Sequence, residues 1–144
     1  MISEETIRIV SRRFGTYDIP TSQIIRFPEG LVGLPEIREV ALLEPRNPAS
    51  PFRYLLCVNH PEVAFVVCAP DDFFPGYSAE VPKPEYGGPE DVVVLALVTV
   101  PERPREMTAN LLAPLVIDCR RREGRQLVLD AARFTTRHRL LPES

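Results

Sequence analysis

The sequence predicts an all-β protein: a small, single-domain antiparallel β-barrel-like fold with short helical turns, spanning residues 1–144. Three observations lead there. The chain carries 16 prolines in 144 residues, roughly twice the usual ~5%, and an interior proline breaks a helix by removing a hydrogen bond and clashing with the preceding turn. Its apolar runs are short, and most are bounded within a few residues by Pro, Gly, Asn or Asp, as in folds built of many closely spaced strands. Two runs, Val63–Cys68 and Val92–Val100, are continuously apolar, which fits central strands covered on both faces.

In chain order, Ile7–Val10 and Tyr17–Ile19 flank Gly15 as the arms of a hairpin, and Ile24–Phe27 forms a third run that stops at Pro28. Val40–Leu43, Tyr54–Val58, Val63–Cys68, Val92–Val100, Leu115–Cys119 and Gln126–Leu129 supply further strands. The stretch Thr108–Asp118 is apolar on both sides of Pro114, so it predicts two short strands meeting at Ala113 and Pro114, with Asn110 satisfying backbone groups at the turn. Helical turns are expected at Pro35–Glu39, Asp71–Phe74 and Asp130–Phe134. Val81–Pro89, with three prolines and two glycines, is an irregular loop, and the tail from about residue 135 is expected to be loose.

Hydrophobic content of 44% and charged content of 26% are ordinary for a globular protein. The N-terminus lacks a basic segment followed by an apolar one, and no apolar run approaches the ~18 residues that span a bilayer, so the expected location is the cytoplasm, without membrane contact. The formal charge of −3 is a poor match to a polyanion-binding protein. Its distribution is uneven. Glu62–Asp91 holds seven acids against Lys83 alone, a net charge of −6, whereas Arg103–Arg139 holds nine arginines against four acids, a net +5. Such polarity can steer a charged partner, although solvated loops produce the same pattern.

Reactive chemistry is sparse. Cys57, Cys68 and Cys119 lie in apolar stretches and are odd in number, which disfavours a disulfide framework. Cys57, His60 and Cys68 lack the paired spacing of a zinc knuckle, so no metal or other cofactor is expected. His60 precedes Pro61, and His138 stands between Arg137 and Arg139; neither is a convincing general base. Gly30 and Gly33 lack the Lys and Ser or Thr of a phosphate loop and read as tight turns. Phe73, Phe74 and Tyr77 follow Asp71 and Asp72, so one segment could combine apolar anchors with a charged rim, the make-up of a protein-binding hot spot. Burial of at least one of the phenylalanines in the core is the plainer alternative.

The chain resembles the flagellar assembly factor FliW family nearly end to end. The resemblance rests on Phe14-Gly15, Ile24–Leu34, Val63–Val67, Phe73-Phe74 with Tyr77, Glu90–Val92, Leu95–Val100, Thr108–Ile117, Gly124–Leu129 and Thr136–His138; their order and spacing together are specific. It departs from the family pattern at Val32, Leu34, Asp118, Phe134 and Arg139. The resemblance implies a non-enzymatic, β-barrel-like protein, monomeric when free, that binds newly made flagellin and the RNA-binding translational repressor CsrA, each excluding the other. Free of flagellin, it would bind CsrA and relieve repression of flagellin mRNA. Under that reading Glu62, Asp71, Asp72, Phe73, Tyr77 and Glu80 are the expected CsrA contacts, with carboxylates steering and aromatics supplying buried area. The sequence assigns no residues to flagellin. Two alternatives stay open: single-stranded RNA binding in a basic groove containing Arg120, Arg121, Arg122 and Arg125, and an enzyme using Cys57 or Cys68 as nucleophile.

Overall fold

The computed structural model describes residues 5–45, 47–83 and 91–141. Glu85, Glu90 and most of the loop expected at Val81–Pro89 lie outside them. Eleven strands occur among the described residues: β1 (Thr6–Ser11), β2 (Gly15–Pro20), β3 (Ile25–Arg26), β4 (Glu39–Leu43), β5 (Phe52–Cys57), β6 (Ala64–Cys68), β7 (Val92–Thr99), β8 (Thr108–Ala109), β9 (Leu115–Asp118), β10 (Glu123–Gln126) and β11 (His138–Arg139). Strands β7, β6, β5, β4, β3, β10 and β9 are neighbours in that order, and β9 pairs back onto β7, closing a seven-stranded barrel. The β10–β3 pairing is parallel, with Glu123 opposite Arg26; the other barrel pairings are antiparallel.

Side-chain alternation along the strands sorts the apolar residues into an interior and an outer layer. Phe27, Val40, Leu55, Val67, Leu95, Leu115 and Ile117 fill the barrel. Their strand neighbours Val66, Val94, Ala96, Val98 and Val116 point outward into a second apolar layer under Tyr77, Val81, Leu111 and Leu140. The hairpin β1–β2 covers Ala41, Leu56 and Val58 with Ile9 and Ile19. Both faces of β7 are thus covered, which is why its sequence is apolar without alternation.

The Thr108–Asp118 stretch does form two strands, but the first is only Thr108–Ala109. Val98 pairs with Ala109, whereas Leu95 pairs with Leu115, and Asn110 N–H still donates to Leu97 O at 2.8 Å. Residues 111–114 therefore bulge out opposite Ala96, and Asn110 Oδ1 accepts from Ala113 N–H at 3.0 Å to hold the turn. The bulge lets one edge of β7 serve β8 at its far end and β9 at its near end.

The last expected strand, Gln126–Leu129, is observed as Glu123–Gln126. Leu127 and Leu129 N–H groups still reach Pro114 O at 3.0 Å and Leu112 O at 2.7 Å, continuing the β10–β9 register. Return bonds are missing because Pro114 has no N–H and Leu112 N–H goes to Thr135 O at 3.1 Å. The turn expected at Pro35–Glu39 is shorter, since β4 already starts at Glu39. The turns at Asp71–Phe74 and Asp130–Phe134 are present: Phe73 and Phe74 N–H share Pro70 O, and Arg133 and Phe134 N–H share Asp130 O. At 135–140, where a loose tail was expected, β11 pairs with β8 and Leu140 is buried.

Candidate protein-binding surface

The acidic, aromatic segment after β6 is tied tightly into the fold. Pro70–Asp72 and Tyr77–Glu80 are short 3-10 turns, joined by Gly76 at φ +87, a backbone conformation that glycine adopts without strain. Asp71 bridges the two, its carboxylate accepting from Ser78 N–H at 2.7 Å and from the Ser78 hydroxyl. Tyr77 is 3% exposed. Its hydroxyl donates to Leu111 O at 2.6 Å, its ring meets Phe134 edge-on at 5.3 Å, and burial pushes its pKa up to about 12. Tyr77 is therefore a post that fixes the segment to the bulge, with almost no surface left for a partner.

The remaining expected contacts are exposed or half-buried, but not all adjacent. Asp72 is exposed, and Phe73 is half-buried. Phe73 stacks on Phe52 with centroids 6.0 Å apart. Glu80 is exposed yet paired with Arg133. Glu62 lies at the other end of β6, with Nδ1 of His60 at 3.8 Å; the five residues of β6 put roughly 15 Å of strand between the two acidic ends.

Aromatic rings fill that interval. Phe52 and Tyr54 project from the same face of β5, and Phe14 at the hairpin tip stacks on Tyr54 at 4.1 Å, with Arg13 over the Phe14 ring at 4.9 Å. Arg12 N–H anchors the tip to Pro61 O at 2.8 Å, next to Glu62. The half-buried row Phe14, Tyr54, Phe52 and Phe73, with acidic groups at both ends, is the surface that the fold assembles. Phe14, Phe52 and Tyr54 were missing from the expected site; the alternation Phe52-Arg53-Tyr54 marks an aromatic face, but no local signal places it beside Phe73.

The charge poles of the sequence meet in space at Glu80 and Arg133. Glu80 pairs with Arg133, and Phe74 meets His138 edge-on at 5.8 Å, so the acidic segment packs against the arginine-rich end of the chain. Asp72 and Glu62 keep the most freedom to attract a partner.

Cys57 and Cys68 offer no activated nucleophile. Cys57 lies within the barrel and Cys68 on its outer layer, each 1% exposed. Burial, aided by Glu62 for Cys57 and by Asp72 for Cys68, pushes both thiols up to about 12, so the thiolate is scarce near neutrality. Their placement at opposite ends of the β5–β6 pair also separates the donors of the conceivable Cys57-His60-Cys68 metal set. No group of three or more candidate metal ligands occurs among the described residues. No helix among them is long and apolar enough to cross a membrane.

Fold and site together define a closed seven-stranded β-barrel whose outer layer presents an aromatic row between carboxylates. The chain belongs to the FliW family: the family model described as FliW protein matches residues 8–140. The flagellar assembly factor FliW of Heliobacterium modesticaldum is 39% identical over 143 residues, covering 96% of this chain and 93% of that protein. That of Moorella thermoacetica is 37% identical, covering 96% and 90%. A crystal structure of the flagellar assembly factor FliW superposes with a TM-score of 0.84 at 32% identity, covering 96% of this chain and 99% of the other.

Proposed function

We propose that this chain is a flagellar assembly factor that binds flagellin and, when free of it, binds and antagonises the translational repressor CsrA. It does so as a monomer in the cytoplasm and without catalysis. Family membership supports the general role. The observation that carries the partner reading is the aromatic row Phe14, Tyr54, Phe52 and Phe73 bounded by Asp72 and Glu62, because an RNA-binding repressor carries basic surface that such carboxylates attract. Asp72 and Glu62 steer, Phe73 and its neighbours supply contact area, and Asp71, Tyr77 and Glu80 hold the segment in shape.

Asp72→Lys is the sharpest test, since among the described residues Asp72 makes no side-chain hydrogen bond comparable to that of Asp71. With purified CsrA at low salt, the association rate should fall by about 10-fold while dissociation changes little. An unchanged association rate would remove the acidic steering assignment. Recovery of CsrA from extract on immobilised protein, abolished by excess flagellin, is the expected behaviour of the whole circuit; recovery of neither partner would sink it.

A further inference from the structure

We propose that a cleft on the outer face of β9 and β10, away from the aromatic row, docks an acidic peptide segment of a partner protein through one aliphatic side chain and flanking carboxylates. The cleft has a volume of ≈ 370 Å³, room for a single side chain and its backbone. Val116 and Leu127 form its apolar floor, and Pro28 and Pro82 stand at its walls. Val116 points outward because it alternates with the inward-facing Leu115 and Ile117, and Arg125 and Leu127 share that outer face because Gly124 turns inward, where a Cβ would lie 2.5 Å from the Phe27 ring.

The rim selects for acid. Lys83, Arg121 and Arg125 line the cleft, and Arg120 extends exposed from the adjoining turn. Two carboxylates, Asp118 and Glu123, are also present, so among the described lining residues the cations exceed the acids by one. Asp118 is buried and accepts from the Arg120 and Arg121 N–H groups at 3.0 Å, and Glu123 pairs with Arg26 at 3.3 Å. The Lys83 ammonium donates to the Ser78 and Val81 carbonyls, which fixes its position without cancelling its charge. Arg125 forms no hydrogen bond or ion pair among the described residues, although it borders the apolar floor. A guanidinium so placed suits a carboxylate.

Single-stranded RNA would meet the same charges, yet among the described residues no aromatic side chain lines the cleft to stack a base, whereas the apolar floor suits an aliphatic side chain. An acidic peptide matches both the rim and the floor. This assignment is independent of the CsrA reading, because it uses none of the residues named there.

The probe is a fluorescein-labelled peptide, Glu-Asp-Leu-Glu-Asp, titrated by anisotropy, with a Leu→Ser version, a lysine-for-acid version and oligouridine as comparisons. Saturable binding of the first peptide is expected, weakened by added salt, by the serine version and, by about 5-fold or more, by Arg125→Glu. Arg125→Lys should retain part of the affinity, and unchanged thermal melting of both variants will show that folding is intact. No saturable binding at low salt overturns the proposal. So does equal affinity in Arg125→Glu, or oligouridine that binds more tightly and displaces the peptide.

Discussion

At the residue scale, two glycines only three positions apart have different jobs. Gly30 has φ +72 and faces Pro35 so closely that a Cβ would sit 2.6 Å from the Pro35 Cα. Gly33 has φ +78 but open space around its Cβ position. Gly30→Ala should therefore cost several times more stability than Gly33→Ala, whose cost is only the left-handed backbone, about 1 kcal/mol; chemical denaturation of the two variants checks the order. The sequence marks both as turn glycines, yet only the contact with Pro35 separates them.

Cysteine chemistry divides in the same way. Cys119 is exposed and free, whereas Cys57 and Cys68 are buried, so a thiol probe should label one site quickly in the native protein and all three after denaturation. The two buried thiols also set a pH dependence. Their native pKa values lie at about 12 against a reference of 9.0, so above pH 9 the unfolded chain loses protons that the native chain keeps. The stability they contribute is complete below about pH 9 and declines as pH rises toward 12. Unfolding in reductant at a series of alkaline pH values should show this decline, and Cys68→Ala should make it shallower.

At the scale of elements, the strand pattern was largely legible from the sequence, while strand ends were not. Val92–Val100 became β7 almost unchanged, because eight residues covered on both faces leave a continuous apolar signature. Gln126–Leu129 shifted to Glu123–Gln126 because Pro114, in the bulge before β9, has no N–H to return and the Leu112 N–H goes to Thr135 O. The polar run Glu123-Gly-Arg-Gln hid β10: its inward-facing Gly124 carries no side chain, which leaves room for the ring of Phe27. Gly124→Ala should thus destabilise by about 1–3 kcal/mol through overpacking. Adding Phe27→Leu should recover part of that loss, a coupling that a double-mutant cycle measures; strict additivity would contradict this account of the contact.

At the scale of the whole molecule, stability rests on three apolar layers, the barrel interior, the outer layer and the hairpin cover. The ion pairs found among the described residues, such as Arg8–Asp18 and Arg53–Glu44, are solvent-exposed, and each contributes at most about 1 kcal/mol. Raising salt should accordingly change the unfolding free energy by less than about 1 kcal/mol, while slowing any association steered by Asp72. A large loss of stability with salt would show that charge carries more of the fold than its geometry suggests.

By itself the sequence determined the all-β class, the set of apolar strands, the turn at Asn110 and the family, because alternation, proline placement and turn chemistry are local properties of the chain. Of the candidate surface it determined the acidic, aromatic composition at residues 71–80. Only the tertiary structure decided that β9 closes onto β7, that Tyr77 is spent on the Leu111 carbonyl, that Phe14, Tyr54 and Phe52 complete the row with Phe73, and that Glu80 is matched by Arg133. Each of those outcomes joins residues tens of positions apart, and such pairings are set by register and packing across the barrel, which no local pattern encodes.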